Sequence, residues 1–178
     1  MNKISTKKLV FGGLFLAIGL ILPFFTGQIQ SIGNKLLPMH IPVLICGFIL
    51  GWQYGMIVGF TVPLLRSILF GMPPMFPVAI AMAFELAAYG LMTGLLYKIL
   101  PKKNIFTYVS LILSMIAGRI VWGLVSMFLY GMSGMEFTKQ IFIGGAFLNA
   151  IPGIIIQLLI IPVLIISLEK SKVMKLAK

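Results

Sequence analysis

With 178 residues, 60% of them hydrophobic and 10% charged, the chain is too apolar for a soluble domain, where about a quarter of residues are charged. Its mean hydropathy of +1.12 and its long apolar runs mark a polytopic membrane protein. The net charge of +11 comes from 14 basic against 3 acidic residues, but most of the lysines gather at the chain ends and in one short loop. That is a topology signal and argues against nucleic acid as a partner.

Residues 1–8 form a basic tail with Lys3, Lys7 and Lys8. The first apolar span, 9–25, has no small-x-small cleavage site at its end, so it reads as a retained helix and not as a signal peptide. Gly13 and Ala17 stand four apart on it, a spacing that lets another helix approach closely. A polar connection, 26–39, is long for a membrane hairpin, as binding loops and lids often are. Residues 41–71 read either as one long helix or as two short ones, with Gly51, Trp52, Tyr54 and Gly55 marking a turn at a membrane surface.

Charge decides between the two. Two helices there give six in all, at 9–25, 41–50, 54–70, 76–97, 105–130 and 141–168. Both termini then share a side with the loop carrying Lys98, Lys102 and Lys103, while the other side keeps Lys35, Lys139 and Glu136. The positive-inside rule places the lysine-rich side in the cytoplasm. The expectation is an all-α membrane protein: one domain, residues 1–178, forming a compact bundle of six transmembrane helices with cytoplasmic N- and C-termini.

Three charges fall inside the spans: Arg66, Glu85 and Arg119. At about 1.5 Å per residue, Arg66 lies about 6–8 Å below the outer loops, Glu85 about 14 Å and Arg119 about 17 Å. An ionised group at such depth is retained for a partner or a substrate. Glu85 and Arg119 match in depth on adjacent helices and form a candidate ion pair, either structural or ligand-binding. Arg66 then lacks an acidic partner; its planar fork suits a carboxylate or phosphate, unless it snorkels to the interface. Tyr89 follows Glu85 by four residues, and Trp122 and Ser126 follow Arg119 by three and seven. Asn149 stands four residues from both Gly145 and Gly153, with Gln157 eight further on. Each of these side chains alone serves equally as glue between helices. Together they describe a cavity among helices three to six, with the turn at Gly71, Met72, Pro73 and Pro74 as a candidate lid.

Several chemistries are missing. One Cys, one His and no Asp are too few for an ordinary metal site or a Ser-His-Asp set. No Gly-rich loop ending in Gly-Lys-Ser/Thr is present, so the chain carries no ATPase of that type. No cofactor is implied. A binding or transport subunit remains. The alternatives are a ligand-free structural or assembly protein, which would tolerate changes at Arg66 and Asn149, and an intramembrane enzyme dependent on Glu85.

The small size, six helices, long first outer loop, small-residue first helix and the run Leu50-Gly51-x-x-Tyr54-Gly55-x-x-x-Gly59 resemble the substrate-binding (S) component of an energy-coupling factor (ECF) vitamin transporter. The resemblance covers nearly the whole chain through a diffuse pattern. It implies a binder of a vitamin or related micronutrient in the bacterial plasma membrane, driven by a membrane T component and two cytoplasmic ATPases. The first helix would meet the T component through Gly13 and Ala17, although alanines are common there and Gly13 departs from them. The ligand would sit near the outer face between the later helices, and the whole subunit would topple to release it. Arg66 and Arg119 against Glu85 leave positive charge, which favours an anionic vitamin such as pantothenate. Trp122 and Tyr89 keep ring compounds open.

Overall fold

A computed structural model describes residues 6–26, 35–134 and 138–171. Residues 27–34 of the long polar connection, together with Lys3, Glu136, Lys172, Lys175 and Lys178, lie outside the described residues. Helix α1 (Thr6–Ile21) runs on into a tighter turn, Leu22–Thr26. Then come α2 (His40–Leu50), α3 (Trp52–Phe70) and α4 (Ile80–Ile99), the last entered through a wide turn at Met75–Ala79. Helix α5 (Asn104–Met132) is followed by a short α6 (Lys139–Ile143), another wide turn at Gly144–Leu148, and α7 (Ile151–Lys170). No strand occurs among the described residues.

Five segments are long and apolar enough to cross a membrane: Thr6–Phe25, Trp52–Phe70, Met75–Ile99, Asn104–Met132 and Ile151–Lys170. The sixth expected span, α2, has 11 residues and is only about 16 Å long at about 1.5 Å per residue. It is enclosed by its neighbours: His40, Pro42, Val43, Leu44, Cys46, Gly47, Phe48 and Leu50 are all buried. A helix wrapped in protein has no lipid to match, so its length is free of that constraint. The molecule is inverted relative to a soluble fold. Phe25, Leu124 and Phe128 are exposed, while Arg66, Glu85, Arg119 and Gln157 are buried.

The break between α2 and α3 falls at Gly51, whose φ of 94° and ψ of 173° lie in a region that only glycine adopts readily. The expected last span, 141–168, is corrected: it is not one helix. Pro152 sits in the first turn of α7. Its ring would clash with the carbonyl of Leu148, four residues back, if the helix continued through that point. The chain therefore turns at Asn149 and Ala150, where the Asn149 amide donates to Gly144 O at 2.9 Å.

The tightest seam is backbone on backbone. A Cβ on Gly55 of α3 would stand 2.6 Å from the Gly90 carbonyl of α4. Small residues let the two helices touch this closely, which is how helices associate where no hydrophobic effect drives them together. Two apolar clusters fill the rest. Phe15, Val43, Cys46, Val58 and Val62 join α1, α2 and α3. Leu44, Phe48, Tyr89, Leu111, Met115, Ile161 and Ile165 join α2, α4, α5 and α7. At the end nearest the α4–α5 loop, the Tyr97 hydroxyl donates to Glu169, tying α4 to α7.

Candidate functional site: a buried polar layer

The second apolar cluster sets the register of the site. His40, Glu85 and Gln157 each stand four residues before Leu44, Tyr89 and Ile161, and Arg119 stands four after Met115. Residues four apart share a helix face, so α2, α4, α5 and α7 each present a polar side chain one turn from that cluster. All four are buried: His40 and Glu85 at 1% exposure, Arg119 at 5% and Gln157 at 0%.

Glu85 is the hub. Its Oε1 lies 2.9 Å from Nη1 of Arg119 and accepts from the Tyr89 hydroxyl at 3.2 Å. Nε2 of His40 is 3.6 Å away, too long for a hydrogen bond. The equal depths of Glu85 and Arg119 anticipated their pairing; His40 was not seen as the third group. Tyr89 also lays its ring over Gly118, occupying the space a Cβ there would need, and stands 5.4 Å from the His40 ring.

Much of the layer's hydrogen-bonding capacity is unused. Arg119 Nε and Nη2, both polar atoms of the Gln157 amide and both ring nitrogens of His40 are buried without a hydrogen-bond partner among the described residues; the Ser110 and Ser126 hydroxyls share that state but stand nine residues before and seven after Arg119 on α5, outside the layer. Such groups cost about 1–3 kcal/mol each when left unmade, and a fold built only to hold itself together has little reason to gather them. Donors and acceptors so placed make the layer a candidate site for the polar groups of a ligand.

The substrate-specific component of ECF transporters matches this chain over residues 7–165. The chain belongs to that family. No curated protein and no solved structure matches it. S components are substrate-binding subunits of membrane transporters and not enzymes. The buried layer is thus a candidate place for an S component to hold its substrate.

The other expected residues fall in three places. Trp122, one turn beyond Arg119 on α5, stacks on Phe142 of α6 with ring centroids 6.2 Å apart and planes at 23°. Its ring also lies where a Cβ on Gly145 would come within 2.7 Å. This aromatic pair caps the α5 side of the layer. Asn149 is exposed in the turn before α7. Its expected helical spacing from Gly145 and Gly153 does not hold, because Pro152 breaks the helix. Arg66 stands apart. Its guanidinium donates to the Leu20 carbonyl of α1 and lies over the Phe24 and Phe70 rings, 4.7 and 5.4 Å from their centroids.

On α1, Gly12 and Gly19 turn inward toward Tyr54 and Val62, whereas Gly13 has open space around it and Ala17 is half-buried. A cavity of about 370 Å³ lies away from the polar layer, lined in part by Lys8, Gly51, Trp52, Tyr97, Lys98 and Lys102. No group of three or more His, Cys, Asp or Glu side chains placed to hold a metal occurs among the described residues.

Proposed function

We propose that this S component captures a vitamin or related micronutrient at the outer face of a bacterial plasma membrane. It delivers the molecule inward when a membrane T component and two cytoplasmic ATPases energise it. The observation that carries this reading is the set of buried, unpartnered polar atoms on Arg119, Gln157 and His40. In this reading Glu85 holds Arg119 in place, Tyr89 and Trp122 form aromatic walls, and Asn149 lies at the mouth. Arg66 is left out of the site, because the Leu20 carbonyl and the Phe24 and Phe70 rings already surround its guanidinium.

The reading keeps six membrane crossings with cytoplasmic termini, with α2 counted as a short, protein-enclosed crossing. It assigns the open face of α1 at Gly13 and Ala17 to the T component, since a bare glycine with open space around it leaves room for a partner helix. Release follows toppling of the whole subunit within the bilayer.

The test is direct. The chain is extracted gently, purified and denatured, and the released small molecules are identified by mass spectrometry. A stoichiometric organic molecule is expected, with its uptake into proteoliposomes requiring the T component and ATP. Tight purification without any small molecule, together with no uptake of candidate vitamins, would refute the function.

A further inference from the structure

The cavity of about 370 Å³ lies at the lysine-rich end of the bundle, apart from the polar layer, and is as large as many ligand pockets, which span about 300–1,000 Å³. Three elements each bring a lysine to its wall: Lys8 on α1, Lys98 near the end of α4 and Lys102 in the α4–α5 loop. The break at Gly51, where α2 ends and α3 begins with Trp52, forms another part of the wall. Among the described residues no acidic side chain lines it. Of the three acids in the chain, Glu85 is paired with Arg119 in the polar layer, and Glu136 lies outside the described residues. Glu169 remains, and it accepts from the Tyr97 hydroxyl. Three positive charges against one negative leave an excess that attracts an anion.

The three lysines are not equivalent. Lys102 is engaged: it donates to the Tyr97 carbonyl and lies over the Tyr97 ring, 3.2 Å from its centroid. Lys8 and Lys98 make no hydrogen bond or ion pair among the described residues. Membrane topology asks only that lysines gather on one side; it does not ask that lysines from separate helices converge on one hollow. Like charges held around a hollow repel, and an anion between them turns repulsion into attraction. The surroundings decide which anion. Lys8 and Lys98 stand near the ends of two apolar segments, Thr6–Phe25 and Met75–Ile99. Beside them in the chain Leu9, Val10 and Ile99 are exposed, and Trp52 is a residue type that settles at headgroup level. A water-soluble anion would use only the charge, whereas a phospholipid uses the charge and the apolar surface together. We propose that the cavity holds the phosphate headgroup of an anionic phospholipid, gripped by Lys8 and Lys98, with its acyl chains on the apolar surface beside them. This site is independent of whether the polar layer holds a substrate.

The experiment uses the full chain, delipidated in a non-ionic detergent. The probes are phosphatidylglycerol, zwitterionic phosphatidylcholine and, as a soluble phosphate, glycerol 1-phosphate. Native mass spectrometry counts bound lipid, and melting curves read the stabilisation it gives. The chain is expected to retain phosphatidylglycerol in preference to phosphatidylcholine and to melt higher with it. Lys8→Gln with Lys98→Gln should weaken that retention about tenfold or more. Lys8→Arg with Lys98→Arg keeps the charge and should keep the lipid. Lys103→Gln with Lys170→Gln removes the same charge from the same end but outside the cavity, and should leave binding intact. Equal losses in the two glutamine pairs would overturn the proposal, because attraction would then be diffuse. Equal retention of the two lipids would overturn it as well. Displacement of phosphatidylglycerol by glycerol 1-phosphate at similar concentration would overturn the lipid assignment and leave a site for soluble phosphate.

Discussion

Glu85 illustrates how a membrane interior constrains single residues. A carboxylate there needs cationic and hydrogen-bonding neighbours, and it has Arg119 at 2.9 Å and the Tyr89 hydroxyl at 3.2 Å. Removing one partner of a buried pair costs about 3–5 kcal/mol, because it strands the other charge, whereas replacing both with apolar groups is often near neutral. Arg119→Met is therefore expected to destabilise the ligand-free chain by that order, and Arg119→Met with Glu85→Met to recover most of the loss. Denaturant unfolding in detergent measures these and Glu85→Met alone; a double-variant loss equal to the sum of the two single losses would show that the pair is not coupled. This pair was legible from sequence because depth can be counted along a helix. His40 was not, since its place beside Glu85 depends on α2 being enclosed by its neighbours. The surroundings of Arg66 were hidden for another reason: its acceptor is a backbone carbonyl, Leu20 O, and every residue has one.

At the scale of elements, the α3–α4 seam sets how the polar side chains of α4 are presented. Gly90 lies on α4 between Glu85 and Gly94, and a Cβ there would collide with the Gly55 backbone. The obstacle is backbone, so it cannot rotate away as a side chain would. Gly90→Ala is expected to cost about 1–3 kcal/mol through overpacking, and to weaken substrate binding as α4 shifts. Gly51→Ala, at a φ of 94° in open space at the end of α2 opposite His40, should cost about 1–3 kcal/mol through backbone strain and leave substrate binding unchanged. Melting curves and binding isotherms of the two variants test the contrast; equal binding losses would remove the seam's special role. The order of helices was readable from hydrophobic runs and from Gly51. The break before α7 was not read, because the Gly145, Asn149 and Gly153 spacing suggested one continuous face while Pro152 forbade it.

For the whole molecule, counting α2 as a crossing has a clear consequence. Five long segments plus the enclosed α2 bring both termini to one side only if α2 counts as a crossing. A fluorescent protein fused after Lys178 is expected to light up in the cytoplasm, and alkaline phosphatase fused after Met132 to be active outside. Activity of the phosphatase at the C-terminus would exclude the six-crossing arrangement. Sequence carried the lysine asymmetry that motivates this, but not the enclosure of α2, which comes from side chains on α1, α3, α4 and α7 meeting around it.

The burial of Cys46 at 0% exposure, the only cysteine in the chain, has a practical consequence for thiol chemistry. Its sulfur is sealed inside α2, so maleimides and nitroxide reagents find no target in the native fold. A cysteine introduced on α1 at position 13, where a new side chain meets open space, becomes the single reactive thiol of an otherwise native protein. A spin label there tests the proposed approach of a T component to α1 without first removing a native residue from the core.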